Sequence, residues 1–105
     1  MPRSYGDKFL ITLRDGDAAK LGVRLGRLCV EANIPAVYVA KALKTSRTTV
    51  YAWFRGQGVR EDRRTRVEAF ISLLEKDMAE GALPVRNSID AKMYMTHMLG
   101  GDFLS

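Results

Sequence analysis

The chain has 105 residues, a formal net charge of +5 at pH 7 and apolar side chains at 47% of its positions, a composition typical of one globular domain rather than of a disordered chain. Its longest apolar runs, such as residues 36–40, fall far short of the about 18 residues that a membrane span needs, and residues 1–9 contain no apolar signal-peptide core. The single cysteine, Cys29, has no partner for an intrachain disulfide, and we therefore expect a cytoplasmic location.

The first predicted element, residues 5–14, has an ambiguous pattern. Phe9, Ile11 and Leu13 alternate as in a strand, whereas Phe9, Leu10 and Leu13 share one face of a helix. Because a lone strand would leave its edges unpaired, the pattern favours a short helix.

A second helix is predicted from Asp17, a residue type that caps helices well, to about Asn33. Its apolar positions follow helical spacing and comprise Leu21, Leu25, Leu28, Cys29 and Ala32. Gly22 and Gly26 lie one turn apart on this helix, and we expect them to permit close packing of another element. The cysteine is expected to be an inert buried thiol.

Two short helices come next. Pro35 suits the first turn of a helix at about residues 36–43, and a turn follows at residues 44–45. Ser46 is expected to cap a second short helix that ends at about Phe54. The side chains placed to hold the two helices together are Val39, Ala40, Leu43, Val50 and Trp53.

Two longer helices complete the predicted all-α architecture, a single compact domain of five to six helices. One is expected at about residues 61–80 and ends at Gly81, with Pro84 preventing its continuation. The last begins near Asn87 or Ser88, both of which cap helices well, and ends at Gly100 and Gly101.

Residues 36–55, AVYVAKALKTSRTTVYAWFR, resemble the helix-turn-helix of the phage repressor family, the lambda-repressor and Cro-like group. The residues that fall on the family's pattern are Val39, Ala40, Leu43, Ser46, Val50 and Trp53. The resemblance implies a lambda-repressor-like fold and sequence-specific binding of double-stranded DNA, with a recognition helix at about residues 47–54 inserted into the major groove.

Three positions depart from the family's pattern. Lys44 occupies the place of the usual turn glycine, where a left-handed backbone would cost about 1 kcal/mol, and this favours a turn that is built differently. Thr45 replaces an apolar residue. Ala36 stands where the family often has a glutamine that supports DNA contacts, so that contact is absent or is supplied by Tyr38.

The charge distribution agrees with this interpretation. Residues 41–66 contain eight basic and two acidic side chains and carry a net charge of +6, whereas residues 1–40 carry +2 and residues 67–105 carry −3. A concentrated positive charge is typical of a surface that binds a polyanion, although a solvated basic face has the same composition.

The resemblance also implies roles for individual residues. The expected base contacts are Arg47, Thr48, Tyr51 and Ala52. The expected phosphate contacts are Lys44, Ser46, Thr49, Arg55 and Arg60. Arg47 is suited to the O6 and N7 atoms of guanine, Ala52 to a thymine methyl group, and Tyr51 to a sugar or a phosphate. The structural alternative is that Arg47, Thr48 and Thr49 are ordinary surface residues.

The implied function is that of a phage or prokaryotic transcriptional regulator of the repressor type. A factor that docks DNA during phage recombination or packaging, such as an excisionase or a small terminase subunit, would use the same motif. A protein-interaction module that binds host transcription machinery is the third alternative, and the intact basic recognition helix argues against it.

We expect neither an enzyme nor a cofactor or metal. His97 is the only histidine and is expected at the edge of a helix-packing surface, and one cysteine and one histidine do not make a metal site. Residues 67–105 are net acidic and rich in methionine, and their last part, residues 84–105, is either part of the core or a dimerisation element. A homodimer would match a palindromic operator.

Overall fold

Six α-helices form the part of the chain that the structure, a computed structural model, describes, which is residues 5–100. In chain order they are α1 (Asp7–Arg14), α2 (Leu21–Ala32), α3 (Ala36–Ala42), α4 (Arg47–Phe54), α5 (Glu61–Ala79) and α6 (Ser88–Leu99). No strand occurs within residues 5–100, so the predicted all-α class is confirmed. The ambiguous segment, residues 5–14, contains the short helix that its pattern favours, α1. Residues 1–4 and 101–105, including the end of the predicted C-terminal segment, lie outside the described part.

The predicted start of α2 is wrong. Asp17 does not cap the helix, because its carboxylate accepts the amide of Ala19 at 2.9 Å within a separate turn, and α2 begins only after Lys20. Aspartate hydrogen-bonds to nearby amides in turns as readily as at helix ends, and the local turn takes precedence here.

Other predicted helix ends are confirmed. The Ser46 hydroxyl accepts the Thr49 amide at 3.1 Å, and the Asn87 side chain accepts the Asp90 amide at 2.8 Å. Gly81 follows α5 with a positive φ of 84°, a conformation that glycine adopts without strain.

Helix α2 lies at the centre of the molecule, where it packs against α1, α4 and α5. Its two glycines allow the expected close approach: a Cβ added to Gly22 would lie 2.8 Å from Trp53 Cβ, and one added to Gly26 would lie 2.9 Å from the Phe54 ring. Arg27 holds α1 in place, since its guanidinium donates to the carbonyls of Arg14 at 2.8 Å and Gly16 at 2.9 Å.

The C-terminal third of the described chain belongs to the same core. The Val85 amide donates to the Ala32 carbonyl at 3.1 Å, and the Asn33 side chain donates to the Val85 carbonyl at 3.0 Å. Ala91 and Met95 are buried on α6, which contacts α3. The radius of gyration is 12.8 Å, about that of a compact chain of this length. Among the described helices, none combines the length and the apolar character needed to cross a membrane.

Candidate nucleic-acid interface

Helices α3 and α4 are joined by a four-residue turn, residues 43–46. This turn contains no glycine, yet its backbone adopts a conformation that favours glycine. Lys44 adopts the left-handed conformation with φ of 54°. The Thr45 amide donates to the Ala40 carbonyl at 2.9 Å and the Lys44 amide donates to the Lys41 carbonyl at 3.3 Å. This is the hydrogen-bond pattern of a Schellman motif. The prediction of a differently built turn is therefore wrong, because lysine takes the position and conformation of the usual glycine.

The start of α4 is fixed by a pair of hydroxyl groups. Ser46 Oγ accepts the Thr49 amide, and the Ser46 hydroxyl donates to Thr49 Oγ1 at 3.0 Å. Both hydroxyls therefore take part in the cap. Of the two, which are both expected at phosphates, Ser46 is exposed and Thr49 is half-buried.

The side chains between α3 and α4 form a closed apolar contact. All five residues expected to hold the helices together are buried: Val39, Ala40, Leu43, Val50 and Trp53. The angle between the two helices is thereby fixed by packing as well as by the turn.

The outward side of α4 presents Arg47 and Thr48 in its first turn, both exposed, and the exposed Arg55 just after its end. Ala52 is half-buried between them. Tyr51, also expected on this face, is half-buried as well.

Tyr51 belongs to an aromatic cluster that joins α4 to α1. Its ring centroid lies 5.2 Å from that of Phe9, 5.9 Å from that of Phe54 and 6.3 Å from that of Tyr5. The Tyr5 hydroxyl is itself buried and donates to the Ile34 carbonyl at 2.6 Å, and burial raises its pKa. The ring of Tyr51 therefore supports α4 against α1, and its contact with DNA stays a prediction.

The basic side chains of residues 41–66 divide into two groups in the structure. Those that are exposed and make no side-chain hydrogen bond or ion pair with any described residue are Lys44, Arg47, Arg55, Arg60 and Arg66. The other three have partners: Lys41 is one of them, Arg64 Nε lies 3.9 Å from a Glu68 oxygen, and Arg63 donates to main-chain carbonyls of the turn. Sequence reasoning missed the Arg63 contact because no local pattern relates α5 to a turn 20 residues earlier.

The remaining candidate reactive groups are dispersed. Cys29 is completely buried, and burial raises the pKa of its thiol, which makes it the inert core residue expected. His97 is exposed in the last turn of α6. Among residues 5–100, no group of three histidine, cysteine or acidic side chains is placed to hold a metal ion.

No family model, curated protein or solved structure matches this chain. The resemblance to the phage repressor family consequently depends on the pattern of residues 36–55 alone.

Proposed function

We propose that this chain binds double-stranded DNA sequence-specifically, with α3, the turn and α4 acting as a helix-turn-helix. The observation that carries the proposal is the outward side of α4, which combines exposed side chains at the helix start with exposed cations at Lys44, Arg47 and Arg55. The major groove of B-DNA is about 12 Å wide and accepts one α-helix, whose N-terminal side chains reach the base edges.

The electrostatics of α4 favour an anionic partner. Like α2 and α3, helix α4 has no acidic residue in its first turn, and it alone of the described helices begins with a cation, Arg47. A cation at the positive end of a helix dipole is unfavourable by roughly 0.3–1 kcal/mol. A phosphate group beside this helix start would offset that cost and accept hydrogen bonds from its unpaired amides.

Each contact type has a candidate side chain in this arrangement. Arg47 and Thr48 face outward in the first turn of α4 and are proposed to read bases, with the half-exposed methyl group of Ala52 against a thymine methyl. Arg47 bound to the O6 and N7 atoms of a guanine would contribute about 1–3 kcal/mol of discrimination. The proposed phosphate contacts are Lys44, Ser46, Thr49, Arg55 and Arg60.

We infer further that the chain is a cytoplasmic transcriptional regulator of the repressor type, from a phage or a prokaryote. This inference is supported by the agreement of residues 36–55 with the sequence pattern of that family. Repressors of this kind pair two recognition helices on a palindromic operator, so we also propose that the chain acts as a homodimer.

Selection of bound sequences from a random duplex pool, using the full chain at near-physiological ionic strength, tests the proposed function. A regulator should enrich one sequence, with two-fold symmetry for a homodimer. Weak binding with no enriched sequence would contradict a role in regulation and would favour a DNA-docking role in recombination or packaging. Absence of any binding to duplex DNA would overturn the proposal.

A further inference from the structure

Arg63, in the first turn of α5, reaches back to the turn that precedes α4. Its Nη1 atom donates to the Leu43 carbonyl at 3.0 Å and to the Lys44 carbonyl at 3.1 Å. The side chain is half-buried at this contact, in contrast to the exposed Arg64 beside it.

The two carbonyls are a favourable place for a cation. Leu43 is the C-cap residue that directly follows α3, and the final carbonyls at a helix end have no partner within the helix and carry its negative partial charge. Hydrogen bonds that involve a charged group are stronger than those between neutral groups. The guanidinium therefore compensates for the strained left-handed backbone at Lys44.

The contact also connects two parts of the fold. Helix α5 packs along α2, which in turn contacts α4 near Trp53, at the far end of that helix from Arg47. Arg63 holds the other end of the motif, the turn from which α4 starts. The two attachments together fix the direction of α4 relative to the core.

We propose that Arg63 is a positioning residue of the DNA-binding site: it fixes the turn so that Arg47 is presented to the base edges, and it does not itself bind phosphate. This inference rests on the proposed function. This role distinguishes Arg63 from the other basic side chains of residues 41–66. The charge composition alone would lead one to expect that all of them contact the phosphate backbone of DNA.

Salt dependence distinguishes the two roles. Each phosphate contact contributes about 0.9 to the slope of log affinity against log salt concentration, and the slope falls by that amount when the contact is removed. Loss of a positioning residue should leave the slope unchanged while it weakens binding to the preferred sequence. Binding to unrelated sequences should change little, because it depends on charge rather than on alignment with bases.

The test compares Arg63→Ala with Arg64→Ala, which removes the same charge from the neighbouring, exposed position. We expect Arg63→Ala to lose about tenfold or more for the preferred duplex, with an unchanged salt slope. We also expect faster hydrogen exchange at the Thr45 amide, which bonds to the Ala40 carbonyl within the turn. Arg64→Ala should leave both the sequence preference and this amide exchange as they are.

Arg63→Lys keeps the charge and takes the place of Arg63→Ala in the test if the alanine variant does not fold. Because lysine binds phosphate as a point charge, wild-type affinity in this variant would overturn the positioning role, as would a reduced salt slope in Arg63→Ala. A wild-type chain that fails to bind duplex DNA would refute the proposed function and, with it, the positioning role. Wild-type binding that Arg63→Ala leaves unaltered would overturn only the positioning role.

Discussion

In its proposed role, Arg47 contributes to DNA binding, whereas its charge at the start of α4 is unfavourable for the stability of that helix. Its exposed guanidinium lies at the positive end of the α4 dipole and has no hydrogen bond or ion pair with any side chain or carbonyl in residues 5–100. Nothing in the described fold compensates the charge, and in the proposed function a DNA phosphate or base would do so.

Arg47→Ala should therefore weaken binding to the preferred duplex by about 1–3 kcal/mol without lowering the stability of the protein. Titrations with preferred and scrambled duplexes, together with thermal unfolding, measure both quantities. Arg55→Ala is the matched comparison, and it should weaken all sequences alike and reduce the salt slope by about one unit. Equal losses of Arg47→Ala on both duplexes would contradict the role in base reading.

Lys44 presents a second conflict at the residue scale, between its backbone and its charge. A lysine at φ of 54° is strained by about 1 kcal/mol relative to glycine. Lys44→Gly should accordingly stabilise the fold by up to about 1 kcal/mol in urea denaturation, and it should weaken binding to all DNA sequences alike if the proposed phosphate contact is lost. Lower stability in the glycine variant would show that the lysine side chain supports the turn.

At the scale of elements, the most constrained contact is the one between α2 and α4. A Cβ added to Gly22 would lie 2.6 Å from the Trp53 carbonyl carbon, which is backbone and cannot move without α4. Gly22→Ala should destabilise the protein by about 1–3 kcal/mol, since overpacking at a helix crossing displaces the backbone. Because α4 would move, sequence-specific DNA binding should decline as well.

The control for this substitution is Gly58→Ala, whose added Cβ would have no neighbour within 4 Å. Chemical denaturation of both variants gives the comparison. A Gly22→Ala protein as stable as Gly58→Ala would mean that α2 and α4 separate easily and that the position of α4 is not fixed by this crossing.

The elements that sequence reasoning predicted are those governed by local rules. The Ser46 cap, the Asn87 cap and the glycine after α5 are fixed by residues within one helical turn, and each is confirmed. The ring contacts of Tyr51 and the hydrogen bonds of Arg63 were missed because the partners are distant in sequence. Tyr51 contacts Phe9, and Arg63 contacts the turn after α3, only once the helices are packed. No short-range periodicity predicts such contacts.

At the scale of the whole molecule, α6 has two sides with different roles. Ala91 and Met95 are buried in the core, whereas Ile89 and Met93 are 70% and 65% exposed on the opposite side, one helical turn apart. A truncation at Pro84 would thus remove core side chains and unfold the protein. The proposed homodimer is better tested by substitutions on the exposed side alone. In the proposed dimer, this side of α6 would contact the same side of α6 in a second copy.

Ile89→Lys and Met93→Lys should shift the protein towards monomer in sedimentation equilibrium while its melting temperature remains unchanged, because neither side chain contributes to the core. Affinity for a palindromic duplex should fall, since two weakly bound half-sites gain most of their strength from being linked. Ile11→Lys on α1 is the control, as it places the same charge at an isoleucine that is 52% exposed on another helix. A wild-type protein that remains monomeric on its palindrome, or an unchanged dimer in both α6 variants, would exclude this side of α6 as the dimer contact.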